Sequence, residues 1–168
     1  RIMEALYGKE YADMLAVLGR QDLQSTIEET ENPADTHLSL DLEGRDPDEG
    51  MSDVAYQKGA LFLSMLEEAA GREEFDRFLR SWFDTYAFQS VDTRLFLDYL
   101  KQNLFGGSEE RMNELQVEQW VYGPGVPPNE PQIRSTAFAR VDAAVAAFQQ
   151  GTAASRLDTQ GWTTHHWL

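Results

Sequence analysis

Apolar side chains recur along most of this chain at spacings of three and four, the period of an α-helix with one buried face. Residues 1–7 and about 10–29 carry the pattern first, with Tyr11, Met14, Leu15 and Leu18 on one stripe. Gly8 and Gly19 weaken or interrupt it. A strong helix is predicted over about 52–70, with Ser52 or Asp53 as N-cap and Gly71 just past its end. Its inward side chains are Leu61, Phe62, Met65, Leu66 and Ala69. The next helix, about 72–86, carries Phe75, Phe78, Leu79, Trp82, Phe83 and Tyr86 on one face. A stripe so aromatic reads as core rather than as a ligand box. Asp92 and Thr93 cap another helix over about 93–104, with Phe96, Leu97, Leu100 and Leu104 inward and Gly106-Gly107 behind it. Val117, Trp120 and Val121 predict one more short helical piece.

Two stretches break the pattern. Glu31-Asn32-Pro33-Ala34-Asp35 and Asp46-Pro47-Asp48-Glu49-Gly50 have turn chemistry. Between them Leu38, Leu40 and Leu42 alternate with Ser39 and Asp41, which suggests a short extended segment. A long acidic connection of this kind inside a domain is a common place for function. The second break, residues 122–131, holds four prolines and two glycines in ten residues. Neither a regular helix nor a central strand tolerates that composition. It reads as a linker, 123–131, between a domain over 1–122 and the start of another over 132–168. Beyond it an Ala-rich helix is expected over 135–149, with Phe138, Val141, Val145 and Phe148 inward. A further helix begins near Thr163, a candidate N-cap. Only residues 38–42 argue for a strand, so the predicted class is all-α.

Composition narrows the chemistry. The 168 residues are 42% hydrophobic, enough for a real core. No apolar run approaches membrane-span length. A net charge of −15 argues against nucleic acid and against anionic membrane surfaces as partners. Most of the acidic excess lies in the first 50 residues, as a solvated surface carries it. There is no cysteine, so disulfides and thiolate metal sites are excluded. The histidines are His37, His165 and His166, without an H-E-x-x-H pair, and adjacent histidines on a helix point apart. Starting a calcium loop at Asp46 puts Gly50 and Gln57 where carboxylates are required. No G-x-S-x-G and no Gly-rich phosphate loop occurs. Tyr56 is the remaining candidate: in the first turn of a helix its hydroxyl can project into a cleft and donate to a developing oxyanion. A packing tyrosine is the bland reading of the same residue.

Several segments, in order, resemble one family. They are Ile2-Met3-Glu4-Ala5-Leu6-Tyr7-Gly8-Lys9-Glu10-Tyr11, Asp46-Pro47-Asp48, Ser52-Asp53-Val54-Ala55-Tyr56-Gln57-Lys58-Gly59-Ala60, Phe75 through Tyr86, and Trp120-Val121-Tyr122-Gly123-Pro124-Gly125-Val126-Pro127-Pro128. Over residues 1 to about 130 the chain resembles the aminopeptidase N/leukotriene A-4 hydrolase family of zinc metallopeptidases. The P-G-x-P-P stretch is most like the hydrolase branch. The resemblance implies the helical second half of a thermolysin-like catalytic domain, then the first helix or so of a C-terminal helical, armadillo-like domain. It also implies that the zinc ligands, and the G-x-M-E-N motif that holds the substrate amino end, precede Arg1. The opening residues read as mid-helix, which agrees with a piece of a larger protein whose targeting region and compartment are not legible.

On that resemblance Tyr56 is the transition-state tyrosine, a hydrogen-bond donor to the oxygen that becomes negative at the scissile carbonyl. Asp48 and Pro47 line the substrate cleft. Met51 stands where the leukotriene hydrolase carries a second pocket tyrosine. That departure points away from epoxide hydrolysis and toward peptide cleavage. The expectation is a zinc aminopeptidase acting on peptides, with zinc in the intact protein and none bound by these 168 residues, which alone are expected to be inactive. Exposed apolar surface is expected to favour a non-native oligomer. The alternative is a non-enzymatic helical interaction module.

Overall fold

Helices supply every regular element among the described residues, which are 1–50 and 52–167 of a computed structural model. They are α1 (Ile2–Tyr7), α2 (Lys9–Glu29), α3 (Val54–Ala70), α4 (Arg72–Thr85), α5 (Thr93–Asn103), α6 (Glu109–Glu114), α7 (Val117–Tyr122), α8 (Ala137–Gln149) and α9 (Thr164–Trp167). Short 3-10 turns stand at Pro33–Thr36, Pro47–Gly50 and Ala154–Arg156. The all-α class therefore holds. Residues 38–42 form no strand. Instead the amides of Leu38 and Ser39 both donate to the carbonyl of Val121, at 3.0 Å each. Leu40 and Leu42 close over Gly50: a Cβ there would sit 2.6 Å from a Leu42 methyl and 3.0 Å from one of Leu40.

The chain divides into two compact units, residues 22–131 and residues 1–21 with 132–168. In the first, α3 packs on α4, α4 on α5 and α6 on α7. The buried stripe of α3 is Val54, Lys58, Leu61, Phe62, Met65 and Leu66, helical spacing with one cation in it. Phe62 lies 5.9 Å from Trp120 of α7. The aromatic face of α4 meets α5: Trp82 stands edge-on to Phe96 at 5.2 Å and to Tyr99 at 5.3 Å. Phe83 departs from the expected stripe and is exposed, since it sits one residue around the helix from Trp82 and beyond the width of the α5 contact. The Trp120 indole N–H donates to Asn129 Oδ1, and Asn129 Nδ2 donates to the Leu115 carbonyl, fixing the proline-rich segment under α7.

Several helix ends follow local chemistry and others do not. Asp92 accepts from the Leu95 amide at 2.8 Å, and Gly71 takes φ +83 after α3, as expected. Ser108 accepts from the Arg111 amide and opens α6, a helix too short and polar to show in the periodicity. Asp53 precedes α3 without capping it through its side chain. Gly19 does not interrupt α2, where it is buried.

In the other unit Glu10 of α2 accepts from Thr136 Oγ1 and pairs with Arg140 of α8. Ala137 is the buried residue of α8. Val145 and Phe148, expected inward, are exposed: with Val141, Leu157, Trp162 and Trp167 they line an open apolar groove of about 410 Å³. At α9 the Thr163 amide donates to His166 Nδ1 at 3.0 Å, so His166 caps its own helix from the third position.

Candidate functional site

Tyr56 enters the first turn of α3, its amide donating to the Asp53 carbonyl at 3.1 Å. Two residues further on, Lys58 lies on the buried stripe. Successive helical residues are about 100° apart, so a side chain two positions from an inward one points outward. Tyr56 is accordingly 72% exposed, and its hydroxyl has no hydrogen-bond partner among the described residues. Among the described residues this ring packs into no core.

The turn before α3 carries Asp48. Pro47 opens the 3-10 turn, and the Asp48 amide donates to Asp46 Oδ1 at 3.0 Å, an Asx turn that leaves the Asp48 side chain exposed. Gly50 closes the turn against Leu40 and Leu42. Met51 falls outside the described residues. Upstream, Arg45 forms a two-pronged pair with Asp35, at 2.6 and 3.1 Å. The hydrogen-bonded Arg45 guanidinium holds the Asp35 carboxyl below its ordinary range.

Behind the turn lies a polar group that periodicity does not single out. Lys58 is fully buried, and its ammonium donates to the Thr36 carbonyl at 2.8 Å and the Gly123 carbonyl at 2.7 Å. Burial pushes the lysine down to about 8, since removal from water penalises the charged form. No carboxylate among the described residues pairs with it. Thr36 is buried as well: its hydroxyl donates to the Pro33 carbonyl at 2.7 Å and accepts from the Gly125 amide at 2.8 Å. The start of α3, the 33–39 segment and the Tyr122-Gly123-Pro124-Gly125 turn are thereby joined through polar atoms. The signal in the sequence is a lysine four residues after Val54 and three before Leu61, in the middle of an apolar stripe.

The sequence matches a known domain: the model of the peptidase family M1 domain covers residues 1–120. The chain belongs to peptidase family M1. It is 33% identical over 136 residues to leucine aminopeptidase 2 of Lodderomyces elongisporus, covering 77% of this chain and 21% of that protein. Leucine aminopeptidase 2 of Emericella nidulans is 35% identical over 133 residues, 76% of this chain and 21% of the relative. Native leukotriene A4 hydrolase from Saccharomyces cerevisiae superimposes with a TM-score of 0.80 at 31% identity, over 99% of this chain and 28% of that structure. Yeast LTA4 hydrolase in complex with bestatin gives 0.79 at 30% identity, over 98% and 28%. This M1 chain thus spans about a fifth of the length of the curated relatives it matches.

M1 aminopeptidases are zinc enzymes in general. Among the described residues of this M1 chain no three His, Cys, Asp or Glu side chains come together as a metal site. Its one buried histidine, His166, uses Nδ1 to cap α9. The described residues therefore do not themselves fit a zinc site.

Proposed function

We propose that these residues belong to a zinc-dependent aminopeptidase that removes N-terminal residues from peptides, with the metal held by residues outside these 168. Residues 1–122 are read as the helical part of its catalytic domain, 123–131 as a linker and 132–168 as the start of a C-terminal helical domain. Tyr56 donates its hydroxyl hydrogen bond to the substrate oxygen that becomes negative as the scissile carbonyl is attacked. Asp48 and Pro47 border the bound peptide, and Met51 takes the place of a polar pocket group, which favours peptide over epoxide chemistry. The observation that carries the reading is Tyr56 itself: an exposed hydroxyl without a partner among the described residues, on the first turn of a packed helix, in a chain of this family. Family membership weighs against the non-enzymatic interaction module.

Tyr56→Phe in the whole enzyme tests it. Loss of one oxyanion donor should lower kcat by about 100- to 1,000-fold while metal content stays unchanged. Unchanged turnover of an aminoacyl-coumarin substrate would refute the role. The 168-residue chain alone should hold no stoichiometric zinc by elemental analysis and should release no coumarin. Stoichiometric zinc together with turnover would overturn the assignment of the metal to other residues.

A further inference from the structure

Lys58 is buried at a cost that an apolar side chain of the same length would avoid. Its ammonium is spent on two neutral carbonyls, Thr36 and Gly123, which are 22 and 65 residues away in sequence. Methionine would fill the volume but could bond neither. The carbonyls belong to the two segments that flank the start of α3. One runs on through Leu38 to the acidic turn with Asp48. The other is the Tyr122-Gly123-Pro124-Gly125 turn, already tied to the first by the Gly125 amide on Thr36 Oγ1 and by Leu38 and Ser39 on the Val121 carbonyl.

The second segment is itself held in place sterically. Gly123 has no room for a side chain: a Cβ would lie 2.5 Å from the Gln119 backbone oxygen and 2.3 Å from Gln119 Nε2. The Gly123 carbonyl accepts from Lys58 at 2.7 Å.

We propose that Lys58 is a positioning residue, whose directional bonds to the Thr36 and Gly123 carbonyls set the first turn of α3, and with it Tyr56, in fixed relation to the segment carrying Asp48. The consequence for catalysis rests on the function proposed above. The geometric claim does not, because Tyr56 takes no part in these bonds.

The absence of cysteine allows a direct test on this chain. Lys58→Cys introduces a single thiol, which is alkylated in the unfolded state before refolding. Bromoethylamine restores an ammonium at lysine length. A propyl halide yields the same length without charge or donors. Amide hydrogen exchange and amide chemical shifts are read by NMR.

The propyl form should lose protection by about tenfold or more at Leu38, Ser39 and Gly125, and shift the Asp48 and Tyr56 resonances. Phe78 and Leu100, in the α4–α5 core, should keep their protection. The aminoethyl form should restore the wild-type pattern. A merely space-filling role predicts that both forms behave as wild type, and that result overturns the proposal. Gly123→Ala, with Lys58 intact, displaces the carbonyl from the other side. It should give the same selective loss whether or not the alkylated chains refold, and wild-type protection there also overturns the proposal. Tyr56→Phe should leave the exchange pattern untouched, so a failure of the catalytic reading does not disturb this test. Equally, a failure here leaves the turnover prediction for Tyr56→Phe standing.

Discussion

Two side chains two residues apart divide the labour at the start of α3. Tyr56 faces solvent with its hydroxyl uncommitted, and Lys58 faces inward with its ammonium bonded to two carbonyls. The lysine makes stability pH-dependent in a direction that follows from its burial. Its pKa is about 8 in the fold and 10.5 in the unfolded chain. Between those values the unfolded chain holds more protons, so this contribution rises with pH. It is fully present above the unfolded value and lost as pH falls through about 8. Denaturant unfolding at pH 7.5 and pH 9.5 should therefore show the wild type gaining stability relative to Lys58→Met across that window. A parallel dependence in the two proteins would contradict it. Lys58→Met also leaves two buried carbonyls without donors, a loss of about 1–3 kcal/mol that opposes the relief of the buried charge.

Among the elements, α5 shows how a cap and a packed face act together. Asp92 holds the Leu95 amide, while Phe96 and Tyr99 lie against Trp82 of α4. Asp92→Ala should lower stability by about 1 kcal/mol, without loss of near-ultraviolet aromatic signal from the α4–α5 cluster. A change below a few tenths would mean that packing alone sets the start of α5. Beside Trp82 the cluster leaves Phe83 outside, because the contact with α5 covers only part of the aromatic stripe.

For the molecule as a whole, apolar exposure and charge oppose each other. Ile2, Leu6, Phe83, Phe88, Phe148 and Trp167 are exposed, while a net charge of −15 keeps copies apart. Salt near 1 M shortens the Debye length to about 3 Å and removes that repulsion. Sedimentation velocity should therefore show association that grows with salt, and a dye specific for apolar surface should bind. A monomer at all salt concentrations, with no dye binding, would refute an associating apolar surface.

The periodicity of apolar residues determined most of what is local: the existence of α2, α3, α4, α5, α7 and α8, the Asp92 cap and the Gly71 terminus. These depend on neighbours within one or two turns, and a single sequence contains all of them. The resemblance carried by the segments from Ile2 to Pro128 was legible in the same way and led to the M1 family. Other features required distant partners. The alternation at Leu38, Leu40 and Leu42 is the same whether a strand lies beside it or, as here, Gly50 and the Val121 carbonyl do. The outward faces of Phe83, Val145 and Phe148 depend on how far each neighbouring helix reaches. Tyr56 could be singled out from its place in a helical first turn, but its free hydroxyl follows from the inward turn of Lys58. Helical spacing places Lys58 on the apolar stripe, but its partners were decided by the tertiary structure alone: a cation enters a core only where carbonyls from elsewhere in the chain converge to receive it.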